Sequence, residues 1–474
     1  MSQHFKMYLG GEWIDRPKTI TVTNPYDDSV VGTVASATPD DFVTAIDTAH
    51  RAFELTRELP VYRREAICRL IADKLEARAE EFSRMMTLEL GKAIKDSRVE
   101  VARAIALFRT SAEEAKRIGG ELIDLDWTAG NEGRLGLLRR FPRGVIGAIT
   151  PFNFPLNLVA HKIGPAIASG NTLVLKPASK TPIIALMLAE IIAETDYPLG
   201  AISILPASAK AAAPLLEDAR VKMVTFTGSA EIGWWIKSNA GQKPVILELG
   251  GNAGAIVADD ANLEFAAKRL LFGSFASAGQ SCISVQRIYA HEKIYDALVK
   301  LLTEKTSTLR AGDPMDPATD IGALVDTEAV QRTTLWIEEA RRGGAKLICG
   351  GTTKGRIMTP AILTDVTPEM SVCSKEIFAP VVTIQRYKTF VDAVAAVNDS
   401  DFGLQAGVFT NRMSDIMYAF KRIETGGVII NDVPTWRADH MPYGGVKGSG
   451  IGREGVRYAI EDMTEPKLLA LNMP

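Results

Sequence analysis

The chain has 474 residues, 46% of them hydrophobic and 23% charged, with a formal net charge of -3. At about 150 residues per domain that length predicts roughly three domains or sub-domains. The composition excludes disordered, collagen-like and membrane-spanning chains, and the near-neutral balance gives no reason to expect nucleic acid or a membrane surface as partner. The start, MSQHFKMYLGGEWID, lacks the basic-then-apolar layout of a secretory signal, so a cytoplasmic protein is expected. Cys68, Cys282, Cys349 and Cys373 are too few and too scattered for a disulfide framework or a CxxC metal site, so no metal is expected.

From Pro39 to about Gly120 the sequence reads as successive helices. Ile67, Leu70, Ile71, Leu75 and Phe82 recur at three- and four-residue steps, Pro60 precedes one helix, and Gly91 ends a periodic run. After Pro142 short apolar runs alternate with helical patterns. Strands are expected at 144–150, 171–176, 201–206 and 221–227, and helices at 156–169, 181–195 and 229–239. A second alternation starts near Val245, continues through a helix over 263–278, and resumes at Ile348, Val381 and Val428. The last segment, from Glu465 to Asn472, reads as a strand reaching out of the body. Alternating strands and helices predict α/β lobes built on parallel sheets.

Two stretches suit a nucleotide. Val174 to Pro182 places Lys176 at a strand end before a polar turn, where it can reach a ribose or a phosphate, or simply be solvated. Phe226 to Gly233 runs strand, glycine turn, helix, which suits a pyrophosphate at a helix N-terminus and equally a plain tight turn, since only Gly228 and Gly233 are present. Three further residues suggest chemistry. Cys282 lies among small residues in Ser-Ala-Gly-Gln-Ser-Cys-Ile-Ser, where a thiolate could meet a substrate. Glu248 ends an apolar strand before two glycines, where desolvation would raise its pKa as suits a general base. Asn153, in Thr-Pro-Phe-Asn-Phe-Pro, is either an oxyanion donor or a helix-capping amide.

Seven strings in order, Pro-Phe-Asn-Phe-Pro (151–155), Leu-Lys-Pro-Ala (175–178), Phe-Thr-Gly-Ser (226–229), Leu-Glu-Leu-Gly-Gly (247–251), Gly-Gln-Ser-Cys (279–282), Glu-Ile-Phe-Ala-Pro (376–380) and Pro-Tyr-Gly-Gly-Val-Lys (442–447), give the chain its resemblance to the aldehyde dehydrogenase superfamily over essentially its full length. The resemblance implies a Rossmann-like cofactor domain (1–122 and 143–248), an α/β catalytic domain (249–445) and a small β oligomerisation element (123–142 and 455–474), with a homodimer or homotetramer as the assembly. It implies Cys282 as nucleophile, Glu248 as base for deacylation, and Asn153 with the Cys282 backbone N–H as oxyanion hole. Thr150, Phe152, Lys176, Ser179, Lys180, Gly228, Ser229, Gly250, Glu376 and Phe378 would meet the cofactor. Many NAD-preferring members carry Glu where this chain has Ser179, followed here by Lys180; without that carboxylate NADP is expected to be accepted as well as NAD.

Asn157 and His161 fall four and eight residues after Asn153 on one helical face. With Arg103, Ser281 and Arg437 they suggest a polar pocket of positive character for a small anionic or 2-hydroxy aldehyde, and the residues around Cys282 resemble the lactaldehyde branch. Two other readings are a coenzyme A-acylating semialdehyde dehydrogenase, against which Glu248 argues, and a non-catalytic binding or structural relative.

Overall fold

The computed structural model describes residues 3–473. The expected run of helices is present at Pro39–Thr56, Val61–Ala77, Ala79–Leu90 and Ile94–Ala115. Local chemistry sets their ends. Thr38 and Asp41 form a reciprocal cap on the first helix, and Gly91, at φ 70°, closes the third. The helix Asn157–Ser169 is buried along its whole length and lies against Ile94–Ala115.

Five parallel strands form the centre of an eight-stranded sheet: Val245–Glu248, Val221–Thr227, Val145–Ile149, Thr172–Lys176 and Ile202–Ile204, in that spatial order. The outer strands Gly450–Ile451 and Met7–Leu9 join its two sides antiparallel. A seven-stranded sheet, with Gly254–Val257, Arg287–His291 and Val381–Tyr387 among its parallel strands, has its own core around Leu298, Phe275 and Ile362. The last segment, Thr464–Asn472, pairs antiparallel with Arg134–Pro142 along its whole length, and that ribbon continues to Gly120–Asp124.

Arg78 ends the helix Val61–Ala77 and begins the helix Ala79–Leu90. One expectation needs correction. The helix expected over 263–278 stops at Phe275, because Ser277 (φ 51°), Ala278 (φ 54°) and Gly279 (φ 68°) turn left-handed. Left-handed backbone at a non-glycine residue costs about 1–3 kcal/mol and persists only where surroundings enforce it. Here the half-buried Asp96 carboxylate accepts the Ser277 N–H at 2.9 Å. The turn redirects the chain into the loop that carries Cys282.

Candidate active site

A cavity of about 540 Å³ is lined by the helix Ile94–Ala115, the ends of the strands Val221–Thr227 and Val245–Glu248, and the loop that carries Cys282. Cys282, Glu248 and Asn153 all line it, although they come from a loop, a strand end and the approach to a helix. Gly251 makes the approach of the cysteine loop possible: a Cβ there would stand 2.5 Å from the Cys282 carbonyl oxygen.

Cys282 is half-buried, and its Sγ lies 3.0 Å from the Tyr443 hydroxyl. Burial pushes the thiol up to about 12, with the Glu376 and Glu248 charges acting in the same direction and Tyr443 and Arg437 opposing it. Asn153 is buried, and its Nδ2 donates to the Gln280 carbonyl at 3.0 Å, which leaves a second N–H. Its backbone carbonyl accepts from Lys92 Nζ at 2.7 Å. Lys92 forms a buried ion pair with Glu100 at 2.6 Å, and Glu100 also accepts the N–H groups of Leu156 and Asn157. One carboxylate thus anchors both the Asn153 loop and the start of the next helix.

Glu248 is 3% exposed, and among the described residues neither carboxylate oxygen has a hydrogen-bond partner. Burial raises its pKa well above the ordinary range, and the neighbouring Glu454 charge adds to the effect. Glu454 itself is held low by Lys162 at 2.6 Å and Arg437 at 3.0 Å. Of two adjacent buried carboxylates, one is therefore ionised and the other favours its proton.

Arg103, Asn157, Ser281 and Arg437 line the same cavity, whereas His161 is buried behind it. The expected surplus of positive charge is balanced. Arg103 grips Asp439 through two contacts at 2.7 and 3.1 Å, and Asn157 Nδ2 donates to the same carboxylate at 3.2 Å. His161 Nε2 lies 3.0 Å from Asp439 and 2.9 Å from Arg437 Nη2. Burial, with the Arg437 charge beside it, lowers the His161 pKa, so the ring is neutral at pH 7. Sequence reasoning missed Asp439, Glu454, Lys162 and Tyr443. Asp439 stood two residues from Arg437, and Tyr443 was inside a quoted string.

The nucleotide-linked residues fall into two groups. Phe152, Gly228, Ser229, Gly250, Glu376 and Phe378 line the cavity. Glu376 accepts the Gly251 N–H at 2.9 Å, and burial lifts its carboxyl to about 7. A Cβ at position 250 would sit 2.4 Å from the Glu376 carboxylate, so any larger residue there would push that side chain aside. Thr150, Lys176, Ser179 and Lys180 stand outside this lining, at and beyond the ends of the strands Val145–Ile149 and Thr172–Lys176. Lys176 is 7% exposed, meets only the Pro177 carbonyl, and is lowered to about 8 by burial. The Thr150 hydroxyl is buried with no partner among the described residues. Ser179 donates to the Ala207 carbonyl, and Lys180 pairs with Asp326.

Comparison with known proteins finds relatives over essentially the whole chain. The family model described as "Aldehyde dehydrogenase family" matches residues 13–469. A 3-sulfolactaldehyde dehydrogenase of Priestia aryabhattai is 46% identical over 472 residues, covering 99% of this chain and 98% of that protein. The crystal structure of aldehyde dehydrogenase 21 from Physcomitrella patens, in complex with the reaction product succinate, is 43% identical with a TM-score of 0.98, covering 100% of this chain and 99% of that one. Glyceraldehyde-3-phosphate dehydrogenase GapN from Methanocaldococcus jannaschii, complexed with NADP, is 38% identical with a TM-score of 0.93, covering 97% and 100%. The chain belongs to the aldehyde dehydrogenase family.

Proposed function

We propose that this protein oxidises a small, polar, anionic aldehyde to its carboxylic acid with NADP or NAD as hydride acceptor. The observation that carries the reading is the single cavity into which Cys282, Asn153, Glu248 and Arg103 all face. Lys176 and Thr150, buried donors with almost no protein partners at the ends of adjacent parallel strands, suit a nucleotide's hydroxyl and phosphate oxygens. Gly250, Glu376 and Phe378 would hold the nicotinamide end. Bound there, the nicotinamide supplies a hydride acceptor. The relative complexed with NADP supports acceptance of that cofactor.

In this mechanism the Cys282 thiolate adds to the aldehyde carbon, and the carbonyl electron pair moves to oxygen. The free Asn153 N–H and the Cys282 backbone N–H receive that oxyanion. After loss of hydride the acyl group is a thioester on Sγ. Glu248 takes a proton from the water that attacks this thioester, and the acid leaves as the thiolate re-forms. Arg103, whose Nε and Nη2 donate to Asp439, would turn its remaining N–H groups to the substrate's anionic group. The relatives named for a sulfonated lactaldehyde and crystallised with succinate support an anionic substrate. The outer edge of Thr464–Asn472, with Leu468 and Leu469 exposed, suits self-association into a dimer or tetramer.

The test is an aldehyde panel with the wild type, Arg103→Ala and Cys282→Ala. Anionic aldehydes should be preferred by the wild type, lose at least tenfold in kcat/KM with Arg103→Ala, and not turn over with Cys282→Ala. If hexanal outperforms every anionic aldehyde in both wild type and Arg103→Ala, the anion assignment fails; if Cys282→Ala still turns over, the nucleophile assignment fails.

A further inference from the structure

Tyr443 has no part in the steps above, yet its hydroxyl is the polar group beside the Cys282 sulfur, at 3.0 Å. The side chain is 3% exposed and packs with Ile283 and Leu404 against Cys282 and Met441. Its backbone is bridged both ways to Glu454, so the ring is fixed from behind. The Arg437 guanidinium lies over the ring at 3.8 Å from its centre and is held there by Glu454 at 3.0 Å. Among the described residues, Sγ of Cys282 is the hydroxyl's hydrogen-bond partner.

We propose that Tyr443 is a positioning residue for the nucleophile: its hydroxyl donates to the Cys282 thiolate, aims it into the cavity and favours its formation. This rests on the assignment of Cys282 as nucleophile. Burial keeps the phenol's own pKa well above its usual value, so Tyr443 holds its proton throughout. With a neutral thiol either group can donate. Once the thiol proton has left for solvent, sulfur can only accept, and the direction of the bond is settled. A cation over the ring face draws electron density from the phenol and strengthens it as a donor. The bond also opposes the desolvation that lifts the thiol, acting alongside Arg437. When sulfur bonds to carbon it loses its negative charge, so the benefit belongs to the free thiolate.

Tyr443→Phe removes the hydroxyl and keeps the ring, the packing and the Arg437 stack. The experiment follows iodoacetamide alkylation of the Cys282 peptide by mass spectrometry from pH 6 to 11, without aldehyde or cofactor. The expected result is a pH–rate profile displaced toward higher pH by about 1–2 units, the scale of one charge-assisted hydrogen bond, so that alkylation is slower at each pH in this range. At pH 7 alkylation then slows at least tenfold, and kcat falls more than KM changes and recovers toward alkaline pH. Superimposable pH profiles for wild type and Tyr443→Phe would overturn the proposal, whatever happens to kcat. Because alkylation needs no aldehyde, a displaced profile in a protein that oxidises no aldehyde would refute the functional reading while leaving the tyrosine's role standing.

Discussion

Glu248→Gln separates the two halves of the proposed reaction. Both Glu248 oxygens lack partners among the described residues, so the amide meets no complementary group and loses none, and the isosteric change leaves the strand end packed as before. What disappears is the capacity to take a proton from water. A positioned general base contributes about 10²–10⁴-fold, which at 1.36 kcal/mol per decade is roughly 3–5 kcal/mol of barrier. That barrier lies on thioester hydrolysis, whereas thiolate addition and hydride loss do not use Glu248. In stopped flow, the variant should produce a burst of about one reduced cofactor per active site, followed by turnover slowed about 10²–10⁴-fold. The pH dependence has a definite sign. Burial and the Glu454 charge raise the Glu248 pKa, so wild-type turnover should rise with pH through that raised value as the base loses its proton. The variant should lack this limb. A variant that keeps wild-type steady-state turnover, or loses the burst together with turnover, would refute the division of labour.

Two further predictions follow from buried charges. Lys176 is lowered to about 8 by burial and carries its charge below that pH, so NADP affinity in fluorescence titrations should fall between pH 7 and 9, and more steeply than NAD affinity; equal binding of NADP at both pH values would contradict this. Glu100→Ala leaves the Lys92 ammonium buried without its carboxylate and two helix N–H groups without an acceptor. Removing one partner of a buried pair costs about 3–5 kcal/mol, so the thermal-inactivation half-life should shorten markedly, with Glu100→Gln, which keeps an oxygen acceptor, falling between; an unchanged half-life for Glu100→Ala would sink the anchoring role.

Which features could be read from sequence depended on how locally each was encoded. The carboxylate ending an apolar strand, the amide between two prolines and the cysteine among small residues each stand in a short string, and all three line one cavity. The helices before Gly120 announced themselves through periodicity because one face of each is buried. Charge balance was not local. Arg103 meets Asp439 across 336 residues and Lys162 meets Glu454 across 292, so counting arginines predicted a positive pocket where the fold supplies matching carboxylates. The helix leading to Cys282 was overrun for a similar reason. Ser277 and Ala278 carry no local signal for left-handed backbone, and the restraint on them comes from Asp96 on a distant helix.

That restraint has a consequence for how the thiol is placed. The left-handed turn is a wound spring whose catch, Asp96, belongs to the helix Ile94–Ala115 and whose arm carries the thiol. Gln280, just past the turn, is tied in addition to the Asn153 amide and to the backbone of Ala323 and Val325. The place of Cys282 beside Asn153 and Tyr443 is therefore set by several distant segments of chain at once, so a substitution far along the sequence can misplace the sulfur without touching it.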